Sequence, residues 1–416
     1  MKTYLKSLSQ FLILCVAGNL WLGCEKENQS VLTGLDVLEK NNFDKLRGKR
    51  VGLITNQTGL NKDGIQNVDL FFNAGIDLKA VFSPEHGFSG KVKAGEKIES
   101  TMDKKSGLSI FSLYGKTRRP TGTMLHGLDI LVFDIQDIGL RSYTYMSTMG
   151  LAMEAAGKYN LEIVVLDRPN PMSGIYQEGR LLDEQFKSFI GMYPIPYVHG
   201  LTPGELATLI NENHWVGEQC NLSVIPLSNW DRKHTWDQTG LMWIAPSPNV
   251  PKPTTPYFMA ATGIFGELGV FSVGIGTEFP FEFLGAPWID AETITQKMNS
   301  LQLDGLSFEA STVTPTKGLY QGQNIHGIRI HIHENSTPNL IPVQFHFMSI
   351  HHEMYPEKNP FTHASKNQIA MFDKALGTDT IRKQFQIDFN LKNIESILCP
   401  DLGNFSTDIK PLLLYE

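Results

Sequence analysis

Leu128-Asp129-Ile130-Leu131-Val132-Phe133-Asp134-Ile135 is the run that decides the fold. It is almost wholly apolar, as a strand buried on both faces must be, and central strands of parallel sheets are buried on both faces. After it, residues 144–159 show helical periodicity through Tyr145, Met149, Ala152, Met153 and Ala156. A second central run follows at 161–166 (LEIVVL). Upstream, 50–55 (RVGLIT), 78–82 and 108–113 read as strands, with a short helix at 68–74. Downstream, Thr202-Pro203-Gly204-Glu205 reads as a helix start, with a threonine cap, a first-turn proline and a glutamate three residues on. That helix runs to about Asn213, and 222–227 is a further strand. Strands alternating with helices predict an α/β fold with a Rossmann-like parallel sheet.

Polar residues follow each predicted strand. The first strand is followed by Asn56-Gln57-Thr58-Gly59 and the second by Pro84-Glu85-His86-Gly87. Tyr114-Gly115 follows the third, and the fourth carries Asp134, Gln136, Asp137 and then Arg141 and Tyr143. Asp167-Arg168-Pro169-Asn170 follows the fifth, and His199 precedes the next helix. Polar groups at the same end of successive parallel strands converge on one crevice, the edge where open α/β sheets bind ligands. Singly, each could be a turn former or helix cap.

The chain has 416 residues and a net charge of −7, enough for two domains. It has no basic run, so nucleic-acid binding has little support. Neither G-x-G-x-x-G after the first strand nor a P-loop occurs, so no nucleotide cofactor is implied. Lys2 and Lys6 precede an apolar stretch at 11–22 that is short for a membrane span. The stretch ends at Gly23-Cys24, resembling a bacterial lipobox, with Trp21 in place of the usual aliphatic residue. The expectation is a lipoprotein signal peptide at 1–23, acylated Cys24, and a tether at 24–32. The protein would then be exported, to the periplasm or outer membrane of a Gram-negative bacterium. Cys220 and Cys399 remain and are expected to be buried thiols.

From Trp243 the texture changes. Residues 246–251 (PSPNVP) are extended, rigid chain. A Gly- and aromatic-rich stretch follows, 263–283, then a strand at 328–332 and helices near 343–354, 368–376, 380–386 and 391–398. This predicts a Rossmann-like domain over 33–256 and a smaller α+β domain over 257–416.

Glu85, between a proline and a histidine at a strand end, is the first candidate for acid/base or nucleophilic chemistry. His86 is placed to orient it. Asp134 or Asp137 is a candidate second carboxylate; the alternative role is capping for Asp137 and bonding to neighbouring loop N–H groups for Asp134. Arg141 and Arg168 suit bidentate grip of a carboxylate, or pairing with Asp137 or Asp167. Asn56, Gln136, Tyr143, Asp167, Asn170, His199, Ser247 and Asn249 are candidate substrate-positioning groups. His331 and His333 share a strand face, but no carboxylate spacing completes a metal site, so none is expected. Ser173 and Ser247 lack a nucleophile-elbow context.

Seven motifs in order carry a resemblance: FSPEHGF (82–88), LVFDIQDIGLRSYTYMSTM (131–149), VVLDRPNPMSG (164–174), HGLTPGELA (199–207), PSPNVP (246–251), SVGIGTEFPFEFLGAPW (272–288) and the terminal LLLYE. Over about 33–416 the chain resembles the exo-β-N-acetylmuramidases, glycoside hydrolase family 171, formerly a domain of unknown function. The resemblance implies a Rossmann-like domain, a smaller C-terminal domain and a cleft between them. It also implies removal of N-acetylmuramic acid from the non-reducing end of peptidoglycan fragments, without a cofactor. The family's motif glutamate matches Glu85, whose partner carboxylate would be Asp134, Asp137 or Glu278. Retention or inversion follows from carboxylate separation, about 5 Å against about 6.5–9.5 Å. Many members carry an arginine where this chain has Ile275. That departure supports an alternative, a non-catalytic, lipid-anchored glycan-binding protein on the same scaffold.

Overall fold

The structure, a computed structural model, describes residues 30–102, 107–217, 219–334 and 336–416. The expected signal peptide and Cys24 lie outside the described residues. The apolar runs form a seven-stranded sheet: β1 (Arg50–Thr55), β2 (Asp77–Ser83), β3 (Thr101–Met102), β4 (Ser109–Ser112), β5 (Ile130–Asp134), β6 (Glu162–Leu166) and β7 (Asn221–Ile225). Their order is β3-β4-β2-β1-β5-β6-β7. Every pair is parallel except β3 with β4. The sheet is therefore doubly wound, growing outward through β2 and β4 on one side of β1 and through β5, β6 and β7 on the other. The direction reverses between β1 and β5, and such a switch point leaves a crevice at the strands' C-terminal ends.

All five residues of β5 are buried. β5 pairs with β1 in unbroken register, Val51 with Ile130 through Thr55 with Asp134. That register brings Asn56 and the segment after Asp134 to one edge of the sheet. The helix Tyr145–Lys158 and the capped helix Pro203–Glu212 pack on the sheet, the latter with the expected Thr202–Glu205 capping box. Some elements of this part were not anticipated. Helix Gly34–Lys40 is seven residues long, too short to show a periodic stripe. Strand β3 has two exposed residues and no alternation to read.

The C-terminal part carries an antiparallel sheet, β8 (Phe283–Ala286), β9 (Leu306–Val313) and β10 (Ile325–Ile332), in the order β8-β10-β9. Helices Thr255–Gly266, Ala291–Ser300, Ile341–Met354 and Lys366–Leu376 accompany it. Helix Thr255–Gly266 was hidden inside the Gly- and aromatic-rich texture. It has few polar residues because core surrounds much of it, so no amphipathic stripe marks it. One apolar core runs through both parts, from Phe133 and Tyr145 to Phe265 and Phe345.

Polar ties reinforce that core. The Glu178 carboxylate accepts the Leu340 and Ile341 N–H groups at 2.9 and 2.8 Å, capping helix Ile341–Met354. At the chain end, the Tyr415 hydroxyl donates to Asp167 at 2.5 Å and accepts the Leu227 N–H at 2.8 Å. Cys220 is buried and Cys399 only half-buried, and both are free thiols. Burial pushes them up to about 11 and about 12, so they stay protonated and inert.

His351 supplies a pH prediction. Its ring lies edge-on to Phe271 at 4.7 Å, and its Nε2 accepts the Trp288 indole N–H at 3.1 Å. Burial, aided by the charges of His352 and His363, pushes it down from 6.5 to about 4. The folded state therefore holds this imidazole neutral while the unfolded chain protonates it at higher pH. The stability it contributes is present above pH 6.5 and lost as pH falls toward 4, about 3 kcal/mol in all. Urea midpoints measured across that window will fall more steeply for wild type than for His351→Gln. Equal slopes would refute the assignment.

Candidate active site

Pro84 ends β2, and the chain turns at once through His86 (φ 68°) and Gly87 (φ 74°), both left-handed. The His86 Nδ1–H donates to the Val92 carbonyl at 2.7 Å, and the Val92 N–H returns to the His86 carbonyl at 3.2 Å. These bonds fold the following loop back over the strand end. As a result the Gly95 N–H donates to Glu85 Oε1 at 2.9 Å. From the other side, the Thr144 hydroxyl donates to Glu85 Oε2 at 2.7 Å. Glu85 is 8 % exposed, so both oxygens are oriented within a nearly closed pocket.

Two tyrosines, Tyr114 and Tyr145, lie beside this carboxylate, and Tyr143 packs on Tyr145. Tyr114 follows β4, whose Ser112 is in register with Ser83 of β2. The Leu113 N–H donates to the Ser83 carbonyl at 2.8 Å, which brings Tyr114 alongside Glu85. Tyr145 donates to the Pro246 carbonyl at 2.5 Å, and its ring meets Tyr143 edge-on at 4.8 Å. Burial pushes the Tyr114 and Tyr145 phenols up, and the Glu85 charge pushes both in the same direction. Asp137 adds to the shift on Tyr145. The phenols thus stay protonated, as hydrogen-bond donors.

At the β1/β5 switch point the structure gathers Asn56, Gln136, Asp137 and His199. Asn56 Oδ1 accepts the Thr58 N–H and hydroxyl at 2.9 and 2.6 Å. Gln136 Nε2 donates to the Asp137 and Pro169 carbonyls, both at 2.8 Å. Asp137 Oδ2 accepts the Gly139 N–H at 2.8 Å. His199 Nδ1 accepts the Leu201 N–H at 3.1 Å, so its proton sits on Nε2, 3.5 Å from Asp137 Oδ2. Ser247, buried, faces Tyr143.

Among the described residues, Asn56 Nδ2, Gln57 Oε1, Gln136 Oε1, Asp137 Oδ1, Tyr143 Oη and His199 Nε2 are buried without a hydrogen-bond partner. Buried polar groups are nearly always paired. Their concentration at the switch point, beside Glu85, leaves several donors and acceptors there available to a polar ligand.

Five expected site residues prove to be structural. Asp134 is fully buried, with Oδ1 on Arg168 Nε at 2.6 Å and Oδ2 on Asn67 Nδ2 at 2.7 Å. Arg168 is thereby occupied and gives another N–H to the Leu60 carbonyl at 3.1 Å. Its partner is Asp134, neither of the carboxylates proposed from sequence. Arg141 donates to the carbonyls of Arg180, Ile195, Ala375 and Leu376 at 2.7–3.1 Å. Asp167 accepts the Arg168 and Gly204 N–H groups and the Thr202 and Tyr415 hydroxyls, anchoring a helix start and the chain end. Asn170 bonds the Met172 N–H and the Leu201 carbonyl, and packs against Gly139, where a Cβ would lie 2.5 Å from its Oδ1.

Glu278 and Asn249 lie elsewhere, on a groove of about 740 Å³ between the 248–252 strap and the C-terminal sheet. Glu278 is exposed there. Ile275 packs against the core. His331 and His333 meet Glu309 and Ser307, each at 3.0 Å.

Thr144, Gly95 and Tyr114 are the site residues that sequence reasoning missed. Thr144 and Gly95 lie in a helix start and a polar loop with no distinguishing local pattern. Tyr114 had a signal, its place after the third strand.

The residues after Val51 match two adjoining family models in chain order. They are described as Exo-beta-N-acetylmuramidase NamZ, N-terminal, over 51–254, and Exo-beta-N-acetylmuramidase NamZ, C-terminal, over 257–415. A curated relative, the peptidoglycan beta-N-acetylmuramidase NamZ of Bacillus subtilis (strain 168), is 39 % identical over 386 residues, 92 % of this chain and 91 % of its own. Two crystal structures of DUF1343 family proteins from Bacteroides fragilis share the fold. One has a TM-score of 0.89 at 40 % identity, covering 93 % of this chain and 99 % of its own. The other has a TM-score of 0.73 at 29 % identity, with the same coverage. The chain belongs to the exo-β-N-acetylmuramidase NamZ family.

Proposed function

We propose that this protein is a glycoside hydrolase that releases N-acetylmuramic acid from the non-reducing end of peptidoglycan fragments. The observation that carries the reading is Glu85, oriented by Thr144 and Gly95 beside a crevice of unpaired polar groups, in a chain of this family. Glu85 acts as general acid and protonates the leaving glycosidic oxygen. Asp137 is the partner carboxylate. Asp134 is consumed by Arg168 and Asn67, and Glu278 lies exposed on the groove. Asp137 Oδ1 is unpaired at the switch point, and His199 faces its other oxygen. Asn56, Gln136 and Tyr143 then supply hydrogen bonds to sugar hydroxyls or to the attacking water.

Incubation with the disaccharide bearing N-acetylmuramic acid at its non-reducing end tests the reading. Free N-acetylmuramic acid is expected from wild type and not from Glu85→Gln. Binding of the disaccharide without release would instead favour a glycan-binding module.

We further propose export and acylation at Cys24, supported by the charged start, the apolar 11–22 stretch and Gly23-Cys24. Labelled palmitate will enter the full chain expressed in a Gram-negative host and will be absent from Cys24→Ala. Equal labelling of the two would refute it.

A further inference from the structure

We infer that Arg118 is the receptor for the carboxylate of the bound sugar acid, gripping the lactyl group of an N-acetylmuramyl unit whose glycosidic oxygen faces Glu85. The inference rests on the reading above and adds the residue that selects the acidic sugar. A sugar carboxylate in an acidic protein needs a fixed cation close to the reacting centre. Neither arginine at the switch point qualifies, because Arg141 is spent on four carbonyls and Arg168 on Asp134 and Leu60.

Arg118 is different. Its guanidinium lies over the Phe189 ring at 4.1 Å and over the Tyr114 ring at 5.3 Å. The two rings contact each other at 5.8 Å. Among the described residues no carboxylate lies within ion-pair reach of it, whereas neighbouring Arg119 pairs with Glu154 at 2.8 Å. Arg118 is exposed, and the rings hold its guanidinium at the surface beside Tyr114, where a planar fork can take a carboxylate.

Arg118 is also close to the chemistry. Tyr114 is held beside Glu85 by the β2–β4 register, and Arg118 stacks on that same tyrosine. Glu85 and Arg118 both reach the Tyr114 hydroxyl, the carboxylate pushing the phenol up and the guanidinium pulling it down. An N-acetylmuramyl unit carries its lactyl ether on C3, two ring carbons from the anomeric centre. With the glycosidic oxygen at Glu85, that substituent extends across Tyr114 toward Arg118.

The loop lysines are weaker candidates. Lys91, Lys93 and Lys97 are exposed on flexible stems, and Lys93 faces Glu96 at 3.9 Å. Lys252 and Lys317 line the separate groove, and Lys252 pairs with Glu282 at 3.0 Å.

Equilibrium binding of N-acetylmuramic acid and of its lactyl carboxamide, to wild type and to Arg118→Gln, provides the test. Wild type is expected to prefer the acid by roughly 10–100-fold, as a charge-assisted bond warrants, and Arg118→Gln to bind both about equally. Arg118→Lys should restore part of the preference. Lys91→Gln and Lys97→Gln should leave it unchanged. Retention of the full preference in Arg118→Gln, or its absence from wild type, overturns the inference. Because binding is read without turnover, the outcomes separate. Discrimination that depends on Arg118 in a protein releasing no sugar would sink the glycosidase reading and leave this one standing.

Discussion

Glu85→Gln will lower release of N-acetylmuramic acid by about 10²–10⁴-fold, the share that a positioned acid or base contributes. The fold will not change, because the amide fits the two donors that hold the carboxylate. Its oxygen can accept the Gly95 N–H, and its NH₂ can donate to the Thr144 hydroxyl, which rotates to accept. Only proton transfer is removed. Steady-state kinetics on a chromogenic muramide, paired with urea unfolding, checks both halves. Full activity in the variant would end the assignment of Glu85. A fall in activity that tracked a fall in unfolding midpoint would reduce it to a structural residue.

The second large effect concerns stability. Arg141→Met will cost about 2–5 kcal/mol, since each buried carbonyl left unpaired costs about 1–3 kcal/mol. The Arg141 guanidinium is 4 % exposed and spans from the segment after β5 to the end of helix Lys366–Leu376. Burial pushes it down to about 10, so it remains charged at neutral pH. Its loss would leave the carbonyls of Arg180, Ile195, Ala375 and Leu376 buried and unpaired. Arg141→Lys will recover little, because one ammonium cannot point in both directions of a planar fork. A substrate clamp at this position would instead raise KM and leave the urea midpoint unmoved. A variant with unchanged stability and a raised KM would restore that role to Arg141 and remove it from Arg118.

The fold was largely legible from sequence. Runs such as LDILVFDI and LEIVVL identify central strands because burial on both faces demands continuous apolarity. The Thr202–Glu205 cap announced its helix because capping is a local bond pattern. Helix Thr255–Gly266 and strand β8 were not legible. Their burial comes from neighbours distant in sequence, which erases the polar face that a pattern would show.

The site divides in the same way. That Glu85, Asn56, Gln136 and Asp137 come to one edge of the sheet follows from the sequence by itself. Alternating elements with polar strand ends admit one arrangement, a parallel sheet with those ends on one edge. Which groups remain available there was decided by tertiary contacts alone. Asp134 ends β5, Arg168 follows β6, and the two neutralise each other. Arg141 reaches carbonyls 39 to 235 residues away along the chain. Arg118 lies over aromatic faces, one of them that of Phe189, far along the chain. An ionisable side chain's role depends on what compensates its charge, and for each of these residues the compensating group comes from a distant segment.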